Sequence, residues 1–164
     1  MLQKPAIKKW TPEKLKVLDI CQQIQKLAEA FYLHLAEIHR EEREIARIWG
    51  LLAVDKCNHS DTFKMASRLK GAGISEIYIS AETAADLLSK MKTIADGMQL
   101  HPPSVVDALR FAIKMEESLH GVDFRHAVKF MSEQDMVLMT SPLKSSRNLV
   151  HLMTEEYVNM TLLE

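Results

Sequence analysis

Residues 11–38 have the sequence TPEKLKVLDICQQIQKLAEAFYLHLAEI, in which apolar side chains recur at every third or fourth position. This spacing places them along one face of an α-helix. The hydroxyl of Thr11 can cap the free N–H groups of a helix start, and Pro12 suits the first helical position. The stretch therefore predicts a long amphipathic helix that packs against other helices through its apolar face.

The chain that follows predicts a second long helix. A polar turn over residues 39–44 precedes it, and Gly71 and Gly73 can take the left-handed backbone conformation that ends a helix. Residues 74–80 mix isoleucines with polar side chains. We expect an extended connection there and not a strand, because the sequence offers it no partner.

The second half of the chain repeats this plan after a short helix, expected over about residues 82–98. A third long helix begins at Ser104, which forms a pattern like a capping box with Asp107 and is expected to continue to Met131. After a polar loop, Ser141-Pro142 repeats the combination of a capping residue and a proline, and predicts the start of the last helix.

These elements predict an all-α fold: a ferritin-like, antiparallel four-helix bundle made of two helix pairs. A crossover connection over residues 71–103, which contains the short helix, joins the two pairs. Residues 1–10 form an N-terminal tail, and residues 1–164 form one domain, since a chain of 164 residues has room for one well-packed core.

Composition excludes several classes of protein. The 21 Lys and Arg residues balance 22 Asp and Glu residues, so no basic excess favours nucleic acid or a membrane surface. No apolar run approaches the roughly 20 residues of a membrane span, and residues 1–10 lack the apolar core of a signal peptide. Cys21 and Cys57 form neither a disulfide framework nor a CxxC motif, which favours a cytoplasmic location.

Each predicted long helix carries polar side chains on its apolar face, at about the middle of its length. Burying such groups without partners costs about 1–3 kcal/mol apiece, so we expect them to contact one another. In the third helix the register leaves Glu117 as an alternative to Glu116. The predicted polar core comprises Gln25, Lys56, His59, Glu116, Glu156 and Asn159.

Four segments that contain these residues share an order and a spacing with a known family. They are 24–32 (IQKLAEAFY), 52–59 (LAVDKCNH), 108–116 (ALRFAIKME) and 152–159 (LMTEEYVN). Together they resemble the four ligand-bearing helices of the ferritin-like di-iron carboxylate proteins, and those of the rubrerythrin-type branch in particular.

The resemblance implies a ligand set, from which this chain departs. In the family, two helices each supply one Glu and the other two each supply Glu-x-x-His around two metal ions. His59, Glu116 and Glu156 match that pattern. At the three other positions, the chain has Gln25, Lys56 and Asn159 in place of Glu, Glu and His.

Charge suggests what these replacements do. An ammonium at the metal position would repel a cation by about 4 kcal/mol at about 4 Å and an effective dielectric near 20. We therefore expect Lys56 to replace the metal, the six residues to form a hydrogen-bonded core, and no cofactor to be bound. Two alternatives stay open: a mononuclear iron or zinc site on His59, Glu116 and Glu156, or a di-iron site completed by Glu29, Asp55 or Glu155.

The function expected from this resemblance is a non-redox structural or protein-interaction role, as a homodimer with a further protein partner that the sequence does not identify. The alternative is a metal-binding oxidoreductase that acts on iron or peroxide. The chain has no Cys₄ rubredoxin-like module, so such an enzyme would need electrons from outside. Whether the chain is an enzyme is left open by the sequence.

Overall fold

A computed structural model describes residues 10–143 and 147–163, and this part of the chain is mostly helical, as predicted. The α-helices are α1 Pro12–Ile38, α2 Arg43–Arg68, α3 Ala81–Leu100, α4 Val105–Leu119, α5 Phe124–Ala127, α6 Glu133–Thr140 and α7 Arg147–Leu162. A 3₁₀ turn, His120–Val122, follows α4, and two short strands are β1 Ile74–Ile77 and β2 Val128–Phe130. Residues 1–9 of the expected N-terminal tail lie outside the described residues.

The predicted helix starts at Thr11 and Ser104 and the predicted stop after α2 are confirmed. The side chains of Thr11 and Ser104 accept hydrogen bonds from the backbone N–H groups of Lys14 and Asp107. Gly71 has a φ of 73°, and a Cβ atom there would lie 2.2 Å from the ring of Trp10. Glycine is therefore required at this position both for its backbone conformation and for the close approach of the indole.

One apolar core is shared by α1, α2, α4 and α7. α1 packs along α2, α4 packs against α7, and α7 also contacts α2, whereas α3 packs on the outside of α1. One buried cluster joins these four helices through residues that include Tyr32, Trp49, Leu109 and Met153. A second cluster joins the other end of α1 and α2 to the strands and α5. No helix in the described part of the chain has the length and apolar character needed to cross a membrane.

The strands correct two expectations from the sequence. β1 pairs antiparallel with β2, with Ile74 opposite Phe130 and Ile77 opposite Val128, so the segment 74–80 does have a partner. That partner lies in residues 120–131, which were wrongly predicted to continue the third helix. α4 ends at Leu119, and Asp123 instead caps α5 by accepting from the N–H of Arg125 at 3.0 Å.

The region before the last helix also differs from the prediction. α6 occupies residues expected to be a polar loop, and Ser132 caps it by accepting from the N–H of Asp135 at 3.1 Å. Ser141 and Pro142 lie in the turn that follows α6, so they do not begin the last helix. α7 begins at Arg147, and residues 144–146 lie outside the described part of the chain.

Candidate functional site

A buried cluster of charged side chains joins α2 to α4, with Lys56 at its centre. The Nζ atom of Lys56 lies 3.0 Å from Oε2 of Glu116 and 3.3 Å from Oδ2 of Asp55. The Lys56 side chain is 4% exposed, and both carboxylates are 7% exposed. Lysine is almost never buried to this extent without such partners. The expected contact between Lys56 and Glu116 is therefore present, whereas Glu117 is exposed to solvent.

The two carboxylates keep Lys56 protonated. Burial opposes the charge on the ammonium, but the nearby Glu116 and then Asp55 more than offset burial, and the pKa of Lys56 is raised above its ordinary value. The cluster thus holds a positive charge against two carboxylates in a region that water barely reaches.

Tyr32 of α1 completes the surroundings of Glu116. Its hydroxyl donates a hydrogen bond of 2.6 Å to Oε1 of Glu116, while Oε2 receives the ammonium of Lys56. Burial, followed by the nearby Glu116 carboxylate, raises the pKa of Tyr32 well above its ordinary value, so the phenol keeps its proton. Both oxygens of Glu116 are therefore engaged, and α1, α2 and α4 are joined by one network.

His59 lies one helical turn after Asp55 and faces two carboxylates. Its Nε2 atom is 3.7 Å from Oδ1 of Asp55 and 3.5 Å from Oδ2 of Asp123, while its Nδ1 accepts from the N–H of Phe124 at 3.3 Å. Burial lowers the pKa of His59, although Asp123 and Asp55 oppose that effect. Because Nδ1 is an acceptor, the neutral ring carries its proton on Nε2, facing the two acids.

The lowered pKa of His59 predicts a loss of stability in mild acid. The unfolded chain takes up a proton near the ordinary value of 6.5, whereas the folded chain resists it. The free energy of unfolding should therefore fall as the pH drops below about 6.5. Urea denaturation between pH 7.5 and 5.0 should show this slope reduced in His59→Gln and kept in His101→Gln, which changes an exposed histidine. Equal slopes in the two variants would contradict this role of His59.

Gln25 is buried, as predicted, but the hydrogen bond that its side chain donates lies outside the Lys56 network. Its Nε2 donates to the carbonyl oxygen of Val122 at 2.9 Å, which ties α1 to the 3₁₀ turn after α4. Within the described residues, the Oε1 atom of Gln25 has no hydrogen-bond partner. Gln25 therefore fixes the position of the turn that leads to Asp123.

The two residues predicted on the last helix lie apart from this cluster. Glu156 is half-buried and Asn159 is exposed, and both line a shallow depression on α7. The inward face of α7 is centred on the buried Met153, with Leu149 and Met160 half-buried beside it. The expectation that Asn159 would be part of a buried polar core is wrong, because the packing of α7 turns this residue to the surface.

Asp55 and Asp123 are the residues of the site that the polar-core prediction missed. Asp55 was considered only as a substitute metal ligand. Its position directly before Lys56 in the sequence could have indicated that it contacts the ammonium. Asp123 lay in a segment predicted to be helical, and its role depends on the turn that the structure has there.

The side chains proposed as a mononuclear metal site are not arranged as one ligand set. His59 faces Asp55 and Asp123, Glu116 contacts Lys56 and Tyr32, and Glu156 lies on α7. Across residues 10–143 and 147–163, no group of three or more His, Cys, Asp or Glu side chains is placed to hold a metal ion. The donors around Glu116 therefore do not fit a di-iron centre, since the ammonium of Lys56 contacts the same carboxylate.

An open depression of about 480 Å³ reaches the cluster from outside. Its lining includes Lys56, Glu116, Glu117, His120 and Asp123. The side chains of the cluster are little exposed but lie next to solvent, so a small solute can approach Glu116 without unfolding of the protein.

No protein-family model, no curated protein and no solved structure matches this chain. The geometry around Lys56, together with the resemblance of the four segments, is therefore the basis for a functional assignment.

Proposed function

We propose that this chain is a rubrerythrin-related bundle protein with a degenerate di-iron site and a non-redox, structural or protein-interaction role. The observation that carries the proposal is the position of the Lys56 ammonium, 3.0 Å from Glu116 and 3.3 Å from Asp55 in a buried site. In this proposal, the ammonium supplies the positive charge that metal ions supply in the family.

Electrostatics supports this replacement. Each unit of positive charge on a metal ion about 4 Å from Lys56 would be repelled by about 4 kcal/mol at an effective dielectric near 20. Glu116 also accepts the Tyr32 hydroxyl, so a metal ion would compete with two existing hydrogen bonds for this carboxylate. The network instead fixes α1, α2 and α4 relative to one another, a register role that buried polar groups fulfil in other bundles.

The interaction role rests on apolar side chains that α1 and α2 expose. Leu33, Leu51 and Val54 are exposed although each is large and apolar. Large apolar side chains exposed by two adjacent helices are suited to a protein contact, and two-fold pairing is the commonest arrangement of like chains. We propose a homodimer, with a further protein partner, in the cytoplasm, where the free thiols of Cys21 and Cys57 stay reduced.

Metal analysis of Lys56→Glu tests the replacement directly. The substitution removes the ammonium and adds a carboxylate beside Asp55 and Glu116. We expect either a rise in bound iron or zinc, as measured by elemental analysis, or a marked fall in melting temperature because three acids then share one buried site. The wild-type protein, purified untagged from iron- and zinc-supplemented cells, should contain close to no metal.

Lys64→Glu is the matched control, because Lys64 is an exposed lysine on the same helix. It should leave metal content and melting temperature unchanged. Stoichiometric iron or zinc in the wild-type protein would overturn the proposal. Unchanged metal content and unchanged melting temperature in Lys56→Glu would show that Lys56 does not contribute to the cluster.

A metal-binding oxidoreductase is the second candidate, and the depression beside the cluster favours it. Glu116, Glu117, His120 and Asp123 line that depression and are individually groups that bind iron or zinc, although no three of them are placed around one point in the described structure. If metal analysis finds iron in the wild-type protein, ferrous oxidation and peroxide consumption become the reactions to assay, with a separate electron donor supplied.

A further inference from the structure

A groove of about 610 Å³ lies between α1, α3 and α4, away from the Lys56 cluster. It forms because α3 packs along α1 and makes little contact with α4. The apolar side chains that line it come from all three helices. They include Leu27, Phe31, Met91, Phe111, Met115 and Leu119. The volume falls within the range of about 300–1,000 Å³ that is usual for small-molecule sites.

The lining of the groove suits a flexible aliphatic chain. Residues 101–104, which connect α3 to α4, line the end where these two helices meet. Met91 and Met115 contribute unbranched, adaptable side chains to the walls.

The charges that line the groove are unbalanced. Lys90 of α3 and Lys114 of α4 line it and are exposed, and neither forms an ion pair with any residue that the structure describes. Asp107, the one acidic residue of the described chain that lines the groove, lies 3.1 Å from Arg110 and is compensated by it. An apolar groove therefore carries two uncompensated positive charges, one from each of two helices.

We propose that this groove binds a free fatty acid, with the aliphatic chain along the apolar lining and the carboxylate held by Lys90 and Lys114. The apolar lining supplies the affinity through burial of the chain, and the two ammonium groups select an anionic head group. This site goes beyond the proposed function. None of the lysine and carboxylate side chains of the Lys56 cluster lines the groove, so either proposal can fail without the other.

The first test is a calorimetric titration of delipidated full-length protein with dodecanoate, below the concentration at which dodecanoate forms micelles. We expect saturable binding of one dodecanoate per chain. Dodecyltrimethylammonium, which has the same chain and a cationic head, should bind at least tenfold more weakly. Absence of saturable dodecanoate binding, or equal affinity for the two compounds, would overturn the proposal. So would binding to anionic phospholipid vesicles without binding to free dodecanoate.

Charge variants test the head-group contacts. Lys90→Gln and Lys114→Gln should each weaken dodecanoate binding by about fivefold, as expected for the loss of an exposed ion pair at low ionic strength. Lys92→Gln is the control, because Lys92 is an exposed lysine of α3 that does not line the groove. If all three variants bind equally well, the carboxylate does not contact Lys90 or Lys114.

Filling the groove tests the location of the chain. Ala95→Trp places an indole in the groove and should abolish dodecanoate binding, whereas Ala85→Trp, at an exposed position on the same helix, should bind normally. Phe111→Glu, at an exposed position that lines the groove, gives a second test that does not depend on core packing. Normal binding by Ala95→Trp and Phe111→Glu would contradict the proposed location. Conversion of a dimer to a monomer by Phe111→Glu would instead identify the groove as an interface between copies.

Discussion

Replacing Lys56 by methionine is expected to lower the free energy of unfolding by about 3–5 kcal/mol. Methionine preserves much of the length of the side chain but removes the ammonium that lies 3.0 Å from Glu116 and 3.3 Å from Asp55. Two carboxylates that are each 7% exposed would then lack their shared cation. Urea denaturation at pH 7, followed by circular dichroism, measures the change.

Two further variants make this result specific to the buried cluster. Lys64→Met removes an exposed lysine from the same helix and should change the free energy of unfolding by less than about 0.5 kcal/mol. Lys56→Met combined with Glu116→Gln should be more stable than Lys56→Met alone, because the double variant removes one of the unmatched negative charges. Similar destabilisation by Lys56→Met and Lys64→Met would mean that the ammonium is solvated and the cluster is open.

Replacing Phe124 by alanine is expected to destabilise the protein by about 3–5 kcal/mol. The ring is fully buried, with its centroid 5.0 Å from that of Phe63 on α2 and 5.9 Å from that of Phe130 on β2. Its loss would leave a cavity where α5 and the strands meet α2. The shift of the denaturation midpoint in urea, at an unchanged m-value, measures the effect.

Phe111→Ala is the comparison for this variant, because Phe111 belongs to the same residue type but is 41% exposed. It should cost less than about 1 kcal/mol. Phe124→Ala keeps the backbone N–H that donates to Nδ1 of His59, so the slope of stability against pH below about 6.5 should change only where loss of the ring displaces this segment. If both phenylalanine variants lowered the free energy of unfolding by the same small amount, the segment that contains Asp123 would not depend on the Phe124 ring for its position.

The sequence alone was sufficient to predict the long helices that have strong local signals. The apolar periodicity of α1, its cap at Thr11 and the glycines after α2 act within a few residues, so each could be recognised without the rest of the chain. The same local patterns predicted α3 close to its observed bounds, Ala81–Leu100.

The segment after α4 could not be predicted in this way. Phe124 and Ala127 continue a helical spacing, but the strand formed by Val128–Phe130 depends on pairing with Ile74–Ile77, about 50 residues earlier in the chain. A pairing partner so distant leaves no local signal. The structure shows that tertiary contacts override the helical pattern there.

The site was predictable where polar residues interrupt an apolar face. Lys56, His59 and Glu116 were identified for that reason, and all three are buried in the network. Asn159 was identified by the same reasoning and lies at the surface, because the rotation of α7 about its axis is set by contacts with α4 and α2 that a single helix does not reveal.

The position of α3 has a consequence for local unfolding. Within α3, which is described in full, three of twenty residues are buried, and they are Ala84, Met91 and Met98. Segments with few buried contacts open at a lower free energy than the whole protein, and their backbone amides exchange with solvent earlier. α3 would therefore act as a separate cooperative unit that detaches and reforms while α1 and α2, which bury many more residues, stay folded. Since α3 forms one wall of the groove, its detachment would let an apolar solute enter the groove while the core stays folded.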